Sequence, residues 1–289
     1  MRSWRTAGAA HFSLAVWIVP AILYSAEAGA WGLYTHMYYT QLLIWAVPLL
    51  DGRFRRALQR FPELCLAGTC LPDLSLFSRA MRSPAMAATH QWTAALAMLR
   101  AATRDEERAM ALGYATHLLT DIVAHNYFVP THERLWLHRS MLTHASAEWA
   151  MDAHVAAHLF VRPEALMARH QDALGAYAEQ HLGLERNAAA RALHCLRTGE
   201  KVLRASRLPQ LVYRATRRLD PRLPARFDEY VSETAARLRQ INRLIAGETP
   251  AWLPEIGSDQ EPVRASQIER PGPNRLLLPV DWFRDAPTH

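Results

Sequence analysis

Apolar residues recur three and four positions apart along most of this chain, the spacing that places them on one face of an α-helix. This periodicity predicts helices over residues 35–50, interrupted at Pro48, and over residues 53–61, 84–103, 141–160, 163–182, 186–207 and 221–245. Another helix is predicted to begin near Thr103 and to contain residues 113–126. No segment shows the strict alternation typical of a half-buried strand. The pattern therefore predicts an all-α protein.

Local signals mark where some of these helices begin. Thr103 and Glu106 have the spacing of a capping box, in which each side chain binds a backbone N–H of the first turn. Pro163 suits a first helical turn, where a backbone N–H has no partner to lose. Asp220 is expected to cap the helix that follows it.

Composition supports one large helical domain. Of the 289 residues 50% are hydrophobic and only 12 are glycine, which favours helices around a sizeable core. We expect this domain to span residues 31–248 and a Pro-rich tail to follow over residues 249–289. Cys65 and Cys70 either form a local disulfide in an oxidising compartment or remain reduced, and Cys195 has no nearby partner in sequence.

The first 30 residues are typical of a signal peptide. Arg2 and Arg5 precede an apolar run over residues 12–24, and the small residues 28–30 form a cleavage site. The run is short for a membrane-spanning helix, although an uncleaved anchor is the alternative. We therefore expect export to the periplasm or the extracellular space, with Trp31 as the first residue of the mature protein.

Basic residues concentrate in the second half of the chain. Residues 185–243 contain 14 Lys or Arg against 6 Asp or Glu, an excess larger than the net charge of +6 on the whole chain. Such a region attracts phosphate-bearing substrates, lipid headgroups or nucleic acid. The alternative is a solvated, Arg-rich surface with no specific partner.

The strongest chemical signal is His117, Asp121 and His125 within one predicted helix. Residues four apart on a helix lie near one face, about 6 Å apart along the axis, with a drift of about 40° per step. The resulting stripe is too long for one ion and suits two or three. His144 and Glu148 repeat the four-residue spacing. Imidazole and carboxylate donors indicate zinc.

Other candidate ligands lie outside this stripe. Asp73 directly follows Pro72 in a rigid turn, and Thr89 precedes His90, which is expected on the next helix. A mature amino terminus at Trp31 would offer an amine and a carbonyl oxygen to one ion, with His36 close by in sequence. The complete candidate metal set is Trp31, His36, Asp73, His90, His117, Asp121, His125, His144 and Glu148.

Together these motifs resemble the zinc-dependent phospholipase C family, which shares its all-α fold with the single-strand-specific zinc nucleases. The resemblance covers residues 31–152 and rests on these elements: Trp31-Gly32 with His36, Gly68 through Pro72-Asp73, Thr89-His90, His117-x3-Asp121 and His144-x3-Glu148. His125 follows Asp121 by four residues where the phospholipases C have six, a spacing similar to that of the glycosylphosphatidylinositol-specific phospholipase D branch. The segment that follows Pro163 contains no recognisable motif.

The resemblance implies one domain around a trinuclear zinc site, with two to three Zn²⁺ ions bound. The implied ligand groups are His90, His117 and Asp121 with Asp73, then Trp31, His36 and the other oxygen of Asp121, and finally His125, His144 and Glu148. A water between the first two ions would be the nucleophile. Asp73 is the catalytic candidate, as general base or water orienter, with a purely structural ligand as the alternative.

The resulting functional hypothesis is a secreted zinc-dependent phosphodiesterase that hydrolyses phospholipids. A single-strand-specific zinc nuclease and a non-catalytic, zinc-stabilised binding protein are the alternatives. The expected partners are a phospholipid or another phosphodiester and the surface of a membrane, with no obligate protein partner. Most of the remaining histidines are expected to be surface residues on helices. The alternative is that some polar residues support the ligands by hydrogen bonds, and the candidates for that role are His132, His138, Asp152, His154, His158 and Asn126.

Overall fold

A computed structural model describes residues 32–136 and 140–250. Its α-helices are α1 (Leu33–Ala46), α2 (Gly52–Arg60), α3 (Pro62–Gly68), α4 (Pro84–Ala87), α5 (Trp92–Ala101), α6 (Asp105–Val123), α7 (Val129–Leu135), α8 (Ser140–Val155), α9 (Pro163–Arg169), α10 (Gln171–Leu182), α11 (Arg186–Ala205), α12 (Leu208–Leu219), α13 (Leu223–Arg237) and α14 (Ile241–Ile245). The described residues contain no strand, so the all-α prediction is confirmed. The predicted signal peptide, Trp31 and most of the predicted tail lie outside the described residues.

Helix α6 is the centre of the domain. Every residue from 109 to 123 is buried, and the helix packs against α1, α2, α3, α5 and α13. A helix buried on all sides is expected to be apolar all round. The polar residues that α6 nevertheless carries, His117 and Asp121 among them, therefore need partners inside the protein. None of the described helices is both long and apolar enough to cross a membrane.

Two glycines let α3 and α6 approach closely. A Cβ added to Gly113 would lie 1.9 Å from the Cys65 carbonyl oxygen, and one added to Gly68 would lie 2.4 Å from the Met110 carbonyl oxygen. Only glycine allows such backbone contact. The approach brings the loop that follows α3 against the middle of α6, where Thr69 donates a hydrogen bond to the Gly113 carbonyl at 3.3 Å.

The start of α1 is held by α8. The N-cap residue Gly32 has no side chain to bind the free N–H groups of the first turn. Asp152 of α8 supplies the missing acceptor, since its Oδ1 accepts from Thr35 N at 2.9 Å and from Thr35 Oγ1 at 2.7 Å. Arg204 of α11 pairs with the other Asp152 oxygen. This network fixes the position of the helix that carries His36.

Several predicted helices are interrupted. The segment predicted as one helix over residues 84–103 is broken between α4 and α5, so the prediction that His90 lies on a helix is wrong. The Thr89 hydroxyl donates to the carbonyls of Pro72 and Met86, and such local side-chain bonds compete with helix continuation. The prediction over residues 163–182 is similarly split at His170, whose ring contacts Glu63 at 3.1 Å.

Two helix starts differ from the predicted ones. Glu107, rather than Glu106, accepts hydrogen bonds from the backbone N–H groups of Thr103 and Arg104. Asp220 accepts from Arg222 N at 3.1 Å and pairs with Arg226 at 2.8 Å, but it precedes the helix by three residues and is not its N-cap.

Helix α12 was not predicted. It follows Arg207, whose φ of 58° is left-handed and ends the preceding helix. Pro209 in its first turn is the sequence signal that could have located it. The long prediction over residues 221–245 is realised as α13, a 3₁₀ turn over Leu238–Gln240 and α14.

Candidate metal centre

The first group of donors joins α1 to α6. His36 Nε2 lies 3.2 Å from Asp121 Oδ1, and His117 Nε2 lies 3.2 Å from Asp121 Oδ2. The two imidazole rings are stacked, with centroids 3.5 Å apart and planes 10° apart. All three side chains are at most 1% exposed, and their donor atoms all lie within 4.8 Å of one another.

Hydrogen bonds at the far side of each ring fix which nitrogen points at this group. His117 Nδ1 lies 2.9 Å from the Thr69 carbonyl oxygen, which can only accept, so Nδ1 carries the proton. Thr120 donates its hydroxyl to the His117 carbonyl at 2.8 Å, which leaves its oxygen free to accept from His36 Nδ1 at 2.9 Å. In the tautomer that these bonds select for both rings, Nε2 is the nitrogen whose lone pair faces the group and is available to a metal.

A second group shares His117 with the first and comprises Asp73, His90 and His117. His117 Nε2 lies 3.6 Å from Asp73 Oδ1 and 3.3 Å from His90 Nε2. His90 Nε2 is also 3.6 Å from Asp121 Oδ2. The Asp121 carboxylate therefore directs Oδ1 to His36 and Oδ2 to His117 and His90, which is the arrangement expected of a ligand that two ions would share.

The loops that carry Asp73 and His90 are tied together beside α6. Asp73 lies in a 3₁₀ turn over Pro72–Phe77, and His90 lies in the break between α4 and α5. Thr89 bonds to the Pro72 carbonyl at 2.6 Å and thereby connects the two loops. Tyr114 of α6 donates its hydroxyl to the Thr89 carbonyl, which anchors both loops to the central helix.

The third predicted group lies where α6 ends. His125 belongs to a π-helical turn over Ala124–Phe128, a distortion that often accompanies functional sites. Its ring lies 6.1 Å from that of His144, and His144 Nε2 lies 2.7 Å from Glu148 Oε1. The three residues are neighbours. Within the described residues, however, the triplets whose donors all converge are the two groups above, so a third ion here stays a prediction.

Burial dominates the acid–base properties of the carboxylates. It raises the pKa of Asp73 to about 7 and that of Glu148 to about 7. Burial acts in the same direction on Asp121, but attraction to His117 and His36 outweighs it and lowers the pKa of Asp121 well below its ordinary value. Asp121 is therefore the one carboxylate of these three that is ionised throughout the neutral range.

The surrounding histidines are held neutral. Burial lowers the pKa of His90 to about 3 and that of His125 to about 4, in spite of attraction to Asp121. Metal ions bind the neutral form of imidazole, so these rings present no proton to be displaced at neutral pH.

Buried polar atoms without hydrogen-bond partners test whether a metal fits. His36 Nε2, both oxygens of Asp121, His125 Nε2 and Glu148 Oε1 are buried and lack any partner in hydrogen-bond geometry within the described part of the chain. Buried polar groups are rarely left in this state. Nitrogen and carboxylate atoms that approach one another without hydrogen-bond angles are typical of ligands aimed at a shared cation, and imidazole with carboxylate is a donor set that suits zinc.

The described polar residues that were candidates to support the ligands make other contacts instead. Asp152 caps α1, and Asn126 donates to the Ile122 carbonyl at 2.8 Å. His132 is buried against Phe128, and His154 bonds to Asp228 at 2.8 Å. His158 is exposed, and His138 lies outside the described residues. The supporting bonds come instead from Thr69 and Thr120, which no sequence motif had indicated. Thr120 could have been found from the sequence, because it lies three residues after His117 and therefore near the same face of the helix.

Comparison with known proteins agrees with this geometry. A family described as zinc dependent phospholipase C matches residues 35–236, which is most of the chain. No match was found among curated proteins or among solved structures. The matched segment includes every predicted ligand except Trp31. The helical fold, the two convergent donor groups and the extent of the match lead to one conclusion: the chain belongs to the zinc-dependent phospholipase C family.

Proposed function

We propose that this protein is an exported phosphodiesterase that hydrolyses phospholipids on the diacylglycerol side of the phosphate, at a centre of two to three zinc ions. The observation that carries the proposal is the Asp121 carboxylate, whose Oδ1 faces His36 and whose Oδ2 faces His117 and His90. A purely structural zinc site needs four closed ligands and no such sharing.

The ligands that would hold the ions are the described members of the predicted set. His36 and Asp121 form one group, with Trp31 as the proposed further ligand, and Asp73, His90, His117 and Asp121 form the other. Zinc at such a site lowers the pKa of bound water towards 7 and neutralises charge on phosphoryl oxygens. The protein's own part is to exclude bulk water and to hold neutral imidazoles and an ionised Asp121 in fixed positions.

We propose Asp73 as the residue that orients the attacking water and accepts its proton. Its Oδ1 lies 3.6 Å from His117 Nε2, so it borders the second group, and its side chain is buried there. A general base must lie within hydrogen-bond reach of the proton that it accepts, and a carboxylate at this position lies beside the donors that would hold the ion. If Asp73 is only a ligand, Asp73→Asn will lose zinc and activity in proportion; if it is the base, activity will fall much further than zinc content.

Direct assay of the zinc-loaded protein tests the proposal. Phosphatidylcholine and phosphatidylinositol are incubated with it, and phosphorus NMR separates the products, since a phosphorylated headgroup indicates C-type cleavage and phosphatidate indicates D-type cleavage. Asp121→Asn should abolish turnover, whereas Asp172→Asn, at an exposed position on α10, should leave it unchanged. Full zinc loading without hydrolysis of any phospholipid would overturn the proposal and favour a binding protein.

A single-strand nuclease is the second candidate because of the basic residues in α11 to α13. Binding through phosphate contacts weakens steeply with salt. The same zinc-loaded preparation is therefore assayed on single-stranded DNA and RNA at low and at physiological salt. Salt-sensitive cleavage that Asp121→Asn removes would favour this function, and its absence at low salt would exclude it.

A further inference from the structure

An aromatic pair stands exposed at the end of α1. Trp45 is 58% exposed and Phe160 is 74% exposed, and their rings meet edge to face with centroids 6.2 Å apart. Single exposed apolar residues are common, but two large aromatic side chains in contact on the surface form a patch that water solvates poorly. We call Trp45 and Phe160 the aromatic pair.

The protein holds this pair rigidly. Gln41, which is buried, donates from Nε2 to the His158 carbonyl at 2.8 Å and accepts from Phe160 N at 3.0 Å through Oε1. Both ends of one amide thus fasten the segment before Phe160 to α1. A small apolar cluster of Met37, Leu66 and Leu166 packs with the partly buried neighbours Ile44, Leu159 and Val161. The exposed rings are therefore part of a built surface.

A cleft with basic residues is lined by neighbours of Phe160 in the amino-acid sequence. Leu159 and Arg162, which flank Phe160 in sequence, line a cavity of about 1120 Å³. Arg162, Arg197 and Lys201 supply positive charge there, and none of them takes part in an ion pair among the described residues. We call this cavity the basic cleft.

One carboxylate, Glu164, and a fourth cation, Arg204, also line the cleft, and both have partners within the protein. Glu164 accepts a hydrogen bond from Tyr34 at 3.1 Å, and Arg204 pairs with Asp152 and Glu200. The Tyr34 hydroxyl is neutral, so Glu164 keeps its negative charge. The lining nevertheless carries four cations against this one carboxylate, and its net charge is positive.

The cleft also contains two buried polar atoms that have no hydrogen-bond partner within the described part of the chain. Arg204 Nη1 is buried without a hydrogen-bond partner, although the rest of its guanidinium is engaged, and the side chain is 11% exposed. Gln210 Oε1, which also lines the cavity, is likewise buried without a partner. A group that carries both an anionic oxygen and a hydroxyl or amine, as a phospholipid headgroup does, would satisfy both atoms.

We propose that the aromatic pair and the basic cleft together form a docking surface for a bilayer that contains anionic phospholipid. Aromatic rings favour the level of the headgroups, and each cation near an anionic surface strengthens attachment. The proposal rests on the proposed function only in its choice of a lipid partner. Trp45 lies nine residues beyond His36 on α1, on the opposite side of the helix, so docking there does not require any metal ligand.

Vesicle sedimentation with the full chain tests this surface. Vesicles of pure phosphatidylcholine and vesicles that also contain phosphatidylglycerol are compared, with inorganic phosphate and glycerophosphate as competitors. Arg162→Gln with Lys201→Gln should weaken binding to the anionic vesicles roughly 30-fold, since each cation contributes about fivefold. Trp45→Ala with Phe160→Ala should weaken binding to both kinds. The matched controls are Leu135→Ala and Arg239→Gln, which change exposed residues elsewhere.

Hydrolysis of a short-chain, monomeric phospholipid separates this proposal from the proposed function. Both double variants should retain wild-type turnover on that substrate while they lose binding to vesicles. The docking proposal is overturned if the wild type does not bind anionic vesicles, if the double variants bind like the controls, or if free phosphate displaces the protein completely, which would indicate a site for a soluble anion. Vesicle binding without hydrolysis of any lipid would leave docking intact and refute the proposed function alone.

Discussion

At the scale of single residues, the metal centre depends on three glycines, which leave room for close contacts, as much as on the ligands themselves. Gly68 and Gly113 let two helical backbones touch, and this contact brings the Thr69 carbonyl to the His117 ring at 2.9 Å. Gly32 leaves room for the Asp152 carboxylate, which would lie 2.3 Å from an added Cβ. These glycines are structural requirements of the ligands rather than flexible points.

Gly113→Ala should therefore destabilise the protein. Its methyl group would meet the Cys65 carbonyl at 1.9 Å, and the helices must separate to accommodate it. We expect a loss of about 3 kcal/mol in the free energy of unfolding, at the upper end of the usual cost of overpacking. Urea denaturation measures this. Gly175→Ala in α10 is the control, since nothing lies within 4 Å of its added Cβ, and a gain of about 0.5–1 kcal/mol is expected there. Equal effects at both glycines would contradict the argument.

His132 should make the protein sensitive to acid. Burial against Phe128 and Phe227 lowers the pKa of His132 to about 3, whereas an unfolded histidine has a pKa of about 6.5. The unfolded chain thus binds the proton more readily, so stability falls as the pH drops from about 6.5 towards 3. Between pH 7 and pH 5 this residue should account for a loss of about 2 kcal/mol.

The check compares the wild type with His132→Gln, both without zinc, by urea denaturation at each pH. The variant will be less stable at pH 7 because the contact with the Phe128 carbonyl at 2.8 Å changes. Its stability should nevertheless decline less steeply on acidification. Parallel curves for the two proteins would show that His132 does not carry the effect, which His90 and His125 would then have to explain.

At the scale of elements, the site is an interface between α1 and α6. The stacked rings of His36 and His117 come from different helices, and Thr120 bonds to both residues. The helix that supplies His117 also supplies the hydroxyl that orients His36. The relative position of the two helices therefore sets the geometry of the shared Asp121.

Thr120→Val keeps the shape of the side chain and removes its hydroxyl. His36 Nδ1 loses its acceptor, so the ring is free to turn or to change tautomer, and zinc at the first donor group should bind about 10–100-fold more weakly. Competition with a chelator measures the affinity of each ion. Thr120→Ser is the matched control and should retain wild-type affinity. Unchanged zinc binding in the valine variant would show that packing alone fixes the ring.

The helices also show how much of the fold and of the site could be predicted from the sequence. Helical periodicity located most helices, and the four-residue spacing of His117 and Asp121 placed both on one face of α6 correctly. The break at Thr89 could not be predicted, because its hydroxyl bonds to Pro72, which is distant in sequence. Spacing rules likewise contain no information on the Thr69 carbonyl, since the contact depends on the packing of α3 against α6.

At the scale of the whole molecule, the donor groups join distant parts of the chain. They connect α1, the 3₁₀ turn at Asp73, the break at His90 and α6. Bound ions would therefore cross-link elements that are otherwise held by packing. The family resemblance identified from sequence covered residues 31–152, whereas the match extends to residue 236, because the later helices carry packing positions without recognisable ligands.

Removal of zinc should lower the melting temperature. A ligand that binds only the folded state stabilises it by about 2.7 kcal/mol at a hundredfold excess over its Kd. For a domain of this size that corresponds to about 5–10 °C. Calorimetry with and without a chelator, followed by addition of zinc, measures the shift. Asp121→Asn, which weakens both groups, should respond much less to the chelator. A chelator-insensitive wild type would contradict the cross-linking role.

The separate packing of Met37, Leu66 and Leu166 implies two timescales of motion. This small cluster contributes far less burial than the main core, so the segment that contains Leu159 and Val161 can open locally without global unfolding. The Phe160 amide proton, which is bonded to Gln41 Oε1 at 3.0 Å, should exchange with solvent through such local openings, whereas the amide protons in the middle of α6 should exchange only when the whole domain unfolds. The aromatic pair is thus fixed in the native state, yet a local opening can release it while the ligands stay in place.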